Sequence, residues 1–321
     1  MAAFLLSDLP RSVLSSEYQA TIDRLLQRIT TNEDVVAVYA IGGVSAPGIS
    51  DLDFVAVFPD NYSSTFDIRR ELSQQEKYLL IHSFYGITQT EFSKAPSYSY
   101  FHPYRLLSGT ELIDKAEIDF NTTVRTQVAL EYLLKFYISL HLQHAYRLIR
   151  VRSILLNAKG VMADLKYLLP LDSSVDDFTK ELMDLRSSWL DKEPPLKEFQ
   201  SWYFRFSEWY FQLVESVFIK HPFYLPQNRV YTMGKNTALR AGSKLSVNHR
   251  GILAPFLHHV LGKRYFNVLN RINRFDFTVP FQSDHLPHDI EKYFDYTLGQ
   301  RAYNSVHLPH YLPLASSLHL K

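Results

Sequence analysis

The chain has 321 residues, 46% of them hydrophobic and 21% charged, which is enough apolar material for two or three packed units. Its 34 basic and 33 acidic residues leave a net charge of +1, so no whole-chain field selects nucleic acid, membrane or an acidic partner. No cysteine is present, which excludes disulfides, thiolate catalysis, iron–sulfur clusters and thiolate zinc sites. Residues 1–13 lack a basic n-region and carry too short an apolar run for a signal peptide, and no run of about 18 apolar residues follows; a cytoplasmic protein without a membrane span is expected.

Tyr18, Ile22, Leu25, Leu26 and Ile29 recur at three- and four-residue steps and predict a helix over 16–31. The β-branched run 35–41, closed by Gly42-Gly43, reads as a buried strand entering a tight turn, and 51–58 as a second strand. A short helix is expected over 67–75, a third strand over 78–88 and a fourth over 104–107, the alternation of a small α+β domain. From Val124 the period becomes helical: one helix to about Asn157, stopped at Lys159-Gly160, then helices over 161–169, 175–190 and 196–220. In the last of these, Trp202, Phe206, Trp209 and Leu213 form the core stripe, and Tyr203 and Tyr210 are the outward candidates. Beyond Pro222 the signals weaken to a helix over 252–269 and another over 289–297 in an otherwise irregular tail. The expected domains are 1–122, a mixed sheet with helices; 123–221, all-α; and 222–321, a basic and then His/Pro-rich extension.

Chemistry concentrates in the stretch 41–54. Asp51 and Asp53, separated by one apolar residue at the head of a strand, point to the same face. Two carboxylates that close resist joint ionisation unless a cation lies between them, and hard oxygen donors with room for water suit Mg²⁺. The Gly42-Gly43 turn just before them lets backbone N–H groups approach an anionic triphosphate.

With Gly42-Gly43 followed by Ser50-Asp51-Leu52-Asp53-Phe54, the text resembles the DNA polymerase β-like nucleotidyltransferase superfamily over roughly residues 15–120. A helical region following such a domain is similar to the antibiotic nucleotidyltransferases. The resemblance implies an α+β, nucleotidyltransferase-type fold with Asp51 and Asp53 as ligands of Mg²⁺ (or Mn²⁺). It makes Gly42 and Gly43 the phosphate-side turn and Ser50 a supporting polar contact. The implied reaction moves a nucleoside monophosphate from a nucleoside triphosphate to a hydroxyl acceptor, a small molecule or a protein. The family places a third carboxylate on a later strand; the corresponding stretch 77–88 has none, so His82 is the candidate base, with Glu91 just past its end. The alternative is a degenerate, non-catalytic module that binds a nucleotide or a partner.

Between Arg229 and Arg274 stand nine Lys/Arg residues and no acid: Arg229, Lys235, Arg240, Lys244, Arg250, Lys263, Arg264, Arg271 and Arg274. A face packed on the acid-rich stretch 172–198, or a nucleotide-side role, is preferred here over RNA binding. His-Leu-Pro-His occurs at 285–288 and again at 307–310; Pro between the imidazoles argues against zinc.

Overall fold

The structure, a computed structural model, describes residues 4–31, 34–99, 104–113, 121–190, 195–227, 231–234, 236–254, 257–316 and 318–320. In chain order the first part carries β1 (Leu5–Ser7), α1 (Ser15–Thr30), β2 (Ala37–Ile41), β3 (Asp53–Phe58) and α2 (Gln74–Leu79). It continues with β4 (Tyr85–Thr88), α3 (Gln89–Tyr98) and β5 (Tyr104–Gly109). The middle holds α4 (Thr122–Tyr146), β6 (Leu148–Arg150), α5 (Val151–Leu168), α6 (Ser173–Ser188) and α7 (Leu196–Lys220). Then come β7 (Tyr231–Gly234), β8 (Thr237–Ala241), β9 (Ser246–Arg250), α8 (His258–Leu261), α9 (Tyr265–Ile272) and β10 (Arg274–Val279). The last elements are α10 (His288–His307), β11 (Leu312–Pro313) and β12 (His319–Leu320).

Two compact units share these elements: residues 11–125 with 288–316, and residues 1–10 with 126–287 and 317–321. Both are mixed α and β. The seam at 125/126 lies close to the expected boundary at 122/123. The expected extension 222–321 is divided, its residues 288–316 belonging with the first unit.

In that unit the sheet runs β11-β4-β3-β2-β5. β2 pairs antiparallel with β3 and with β5, whereas β3 and β4 run parallel, joined by a crossover through α2. The period-two alternation of strands sorts the side chains. Val38, Ala40, Phe54, Ala56 and Phe58 pack with Tyr18, Ile22, Leu25 and Ile29 of α1, while Ala37, Tyr39, Ile41, Val55 and Val57 pack with Phe92 and Ala95 of α3 and with Tyr296 of α10. With both faces covered, β3 reads as the unbroken apolar run Phe54–Phe58.

Three expectations shift here. The strand expected over 78–88 is a helix, a loop and a short strand, because Ser73 caps α2 and Glu76 closes a reciprocal capping box with it. No helix forms over 67–75 as a whole; α2 starts at Gln74. The tail is more regular than expected: α10 has 20 residues, and β11 adds a parallel strand beside β4, with Leu312↔Tyr85 in register.

In the other unit, α4 ends at Tyr146 and not near Asn157. Arg147 takes a left-handed φ of 51°, and the chain then extends to pair β6 with β1, Leu5↔Leu148. The α5 helix runs straight through Gly160, whose interior cost of about 1 kcal/mol tertiary packing absorbs. The core stripe of α7 is rotated relative to expectation: Tyr203 and Tyr210 are fully buried and Trp209 only half-buried. Where a helix was expected over 252–269, α8 and α9 flank a 3₁₀ turn, Gly262–Arg264; residues 255 and 256 lie outside the described residues.

The basic run builds a second sheet, β12-β7-β8-β10-β9, that the helical reading missed. Its described ion pairs go to Asp276, from Arg240 at 3.5 Å and Arg250 at 2.7 Å, and not to the stretch 172–198. Arg229 and Lys235 lie outside the described residues. Among the described residues no helix is long and apolar enough to cross a membrane.

Gly86 of β4 carries the returning segment against its backbone. A Cβ there would sit 2.5 Å from Tyr311 Cβ, and the Gly86 carbonyl accepts the Asn304 side-chain amide at 3.0 Å. Gly86→Ala should therefore lower stability by roughly 1–3 kcal/mol through overpacking, read as a fall in the denaturation midpoint.

A candidate metal centre at the head of strand β3

The site begins where β2 ends. Ile41 pairs with Asp53 across the sheet, so the ten-odd residues between them must turn back on themselves. Gly42 takes φ +67°, a left-handed conformation that a side chain would strain. Gly42 and Gly43 are both exposed, and a Cβ at either would meet nothing within 4 Å, so their backbone borders open space.

The rest of the loop is tied down. The Tyr18 hydroxyl donates to the Ser50 carbonyl at 2.7 Å and accepts the Gly48 N–H at 2.9 Å; the Tyr78 hydroxyl donates to the Gly48 carbonyl at 2.5 Å. Ser50 is buried, and its hydroxyl accepts the Ala46 N–H at 3.2 Å, so its role lies inside the loop. Leu52 is buried and its N–H donates to the Leu79 carbonyl at the end of α2. With Leu52 anchored inward, the flanking Asp51 and Asp53 are left half-buried at the sheet's end.

His82 joins them from the loop between α2 and β4, not from a strand as expected. Because β4 lies parallel beside β3, Val55↔Tyr85, the residues leading into β4 arrive at the head of β3. One donor atom each from Asp51, Asp53 and His82 lies within 4.8 Å of the others. His82 Nε2 stands 2.7 Å from Asp53 Oδ1; that oxygen is shielded from solvent and, apart from the imidazole, has no hydrogen-bond partner among the described residues. His82 Nδ1 lies 2.7 Å from the Ser83 carbonyl. A carbonyl only accepts, so Nδ1 carries the hydrogen and a neutral ring presents its lone pair at Nε2 to an anionic oxygen. That contact is favourable only when a cation, proton or metal, is shared there. Burial pushes the imidazole pKa down, but the adjoining Asp53 carboxylate, the Ser83 carbonyl and the Asp51 charge together hold it above its ordinary value.

Of the residues singled out from sequence, Asp51, Asp53 and His82 converge, and Gly42 and Gly43 form the open turn before them. Both His82 nitrogens are engaged, so the ring could serve an attacking hydroxyl as base only by leaving one partner. Glu91 does not join the cluster; it sits on α3, paired with Lys94 at 2.7 Å. It borders instead an open cleft of ≈ 520 Å³ between α3 and α10, next to Thr88 at the far end of β4. Along the strand that is about 17 Å from Asp53. The His-Leu-Pro-His repeats end up at opposite ends of α10, His288 and His307, about 28 Å apart, too far for one ion. The loop ties went unseen because Tyr18 on an apolar helix face looks like core and Tyr78 looks like the start of a strand. Comparison of the chain with known protein families, characterised proteins and solved structures found no match.

The carbonyl that α2 offers to Leu52 depends on a buried acid. Glu76, 3% exposed, accepts the Ser73 N–H and faces Arg24 at 3.1 Å and Arg28 at 3.8 Å. Burial pushes its pKa up, but Ser73 and the two guanidinium groups outweigh burial and hold it below the ordinary 4.5. A depressed folded-state pKa contributes stability that is present above the ordinary value and lost as pH falls through the folded one. Glu76→Gln should cost roughly 1–3 kcal/mol near neutral pH, and the gap between the denaturation curves of parent and variant should narrow as pH falls through the lowered pKa of the folded carboxylate.

Proposed function

We propose that this chain is a divalent-cation-dependent nucleotidyltransferase of DNA polymerase β-like architecture. It would move a nucleoside monophosphate from a nucleoside triphosphate to a hydroxyl-bearing small molecule or protein. The observation that carries this reading is the convergence of Asp51, Asp53 and His82 behind an open glycine turn, with His82 Nε2 2.7 Å from a shielded Asp53 oxygen. The donor set fits a divalent ion, Mg²⁺ or Mn²⁺. Such an ion, when bound, offsets charge on the attacking and leaving oxygens.

The chain's own residues do the rest. Asp51 and Asp53 bind from one side of the sheet's end, fixed by the burial of Leu52 between them. Gly42 and Gly43 expose backbone to the triphosphate without a side chain in the way. The ties from Tyr18 and Tyr78 keep the loop from relaxing away from the carboxylates, so the site is organised before substrate arrives. In the reaction the acceptor hydroxyl gives its proton to solvent, its oxygen forms a bond to the α-phosphorus, the bond from that phosphorus to the bridging oxygen breaks, and pyrophosphate leaves with the electron pair.

A second reading, a nucleotide-binding module without turnover, is favoured by one feature: the third corner of the cluster holds an imidazole where a carboxylate is expected, and Glu91 is remote. Incubation with α-labelled triphosphates and Mg²⁺ or Mn²⁺ separates the two. Transfer gives pyrophosphate and label on a hydroxyl; the module gives binding alone. Asp51→Asn and Asp53→Asn should each cut transfer at least ~100-fold in a protein that still folds, as read by circular dichroism. Gly43→Ala, with open space for its methyl group, should leave the fold intact and weaken triphosphate binding. Full turnover in both asparagine variants would defeat the assignment.

A further inference from the structure

We infer that the centre is built to bind a first-row transition ion through the His82 ring nitrogen, with Mn²⁺ favoured over Mg²⁺. The inference rests on Asp51 and Asp53 being cation ligands, as proposed above, but not on any transfer reaction.

Three observations on His82 converge. Its Nδ1 is committed to the Ser83 carbonyl, the outer contact that orients ligating histidines and leaves the lone pair on Nε2. His82 Nε2 faces the carboxylate cluster, 2.7 Å from Asp53 Oδ1. Atoms sharing one ion at ~2.1 Å lie roughly 3–4.2 Å apart; here the His82–Asp53 pair is closer, at 2.7 Å, and the three donors lie within 4.8 Å, differences within reach of side-chain torsions. The ring itself is held in place: Tyr85 packs edge-on at 5.2 Å, and the Ser83 hydroxyl donates to the His310 carbonyl at 2.6 Å.

The donor chemistry then selects the ion. Mg²⁺ is hard, demands oxygen ligands and keeps its waters, so an imidazole adds little to its binding. First-row transition ions accept an imidazole nitrogen beside carboxylate oxygens more readily than Mg²⁺ does, Mn²⁺ the least strongly among them. Two carboxylates and one imidazole on one side of an ion leave its remaining positions open to water or to substrate oxygens.

The test uses the full chain without nucleotide. Mn²⁺ binding is followed by electron paramagnetic resonance, with pulsed detection of nitrogen hyperfine coupling, and Mg²⁺ affinity by its competition for the bound Mn²⁺. Directly coordinated nitrogen should be visible in the wild-type protein and vanish in His82→Ala, with Mn²⁺ affinity falling about tenfold or more. Mg²⁺ affinity should move less than about twofold in that variant and rise in His82→Asp, which supplies a third oxygen donor. If His82→Ala does not fold, His82→Gln carries the same readouts. Mn²⁺ bound without nitrogen coupling, equal losses for the two ions, or binding that survives Asp51→Asn and Asp53→Asn would each overturn the inference. A protein with nitrogen-coupled Mn²⁺ that never releases pyrophosphate keeps the inference and loses the transfer reading; one that transfers label without such coupling does the reverse.

Discussion

Two carboxylates that repel one another are held side by side at the head of β3, and the surrounding architecture exists to keep them there. The repulsion is countered mechanically and electrostatically. Leu52 is driven into the core between them, the loop before them is pinned by two tyrosine hydroxyls from separate helices, and an imidazole with raised basicity faces one of them. None of these contacts is local to the Asp-x-Asp stretch.

How β3 is paired explains why the site has three corners and not two. An antiparallel neighbour, β2, delivers the glycine turn to the head of β3. A parallel neighbour, β4, delivers the loop that leads into it, and with it His82. A strand flanked by one partner of each sense gathers a turn and a crossover loop at the same end. The opposite end, where β4 runs into α3, holds its own tyrosine-lined cleft and takes no part in the cluster.

Much of this was legible in the residues. The periodicity of Tyr18 to Ile29 and the apolar runs of β2 and β3 each carry their own signal, and the glycine pair before Asp51 locates the turn. Other features fail locally for identifiable reasons. The capping pair Ser73 and Glu76 marks the start of α2, yet the apolar residues after it, Tyr78 to Ile81, mimic a strand and mask it. In β10 the alternation Phe275, Phe277, Val279 is visible, but its neighbours β8 and β9 are five residues each, and β9, Ser246–Arg250, carries one apolar side chain. The break at Arg147 has no local cause, because a partner strand some 140 residues away, Leu5–Ser7, imposes it. Long-range pairing of this kind overrides propensity and leaves no trace in a window of neighbours.

The anchoring of Ser83 to His310 has a consequence for how the protein is made. These two residues are 227 positions apart, so at ~5–20 residues per second a ribosome needs on the order of 10–45 s to supply the second after the first. Throughout that interval the nascent chain owns both aspartates and the glycine turn but neither Tyr311 nor Leu314, and the sheet is missing its outermost strand. The centre thus lacks its His310 anchor until 227 residues after Ser83 have been added, and until then the sheet keeps an open edge beside β4.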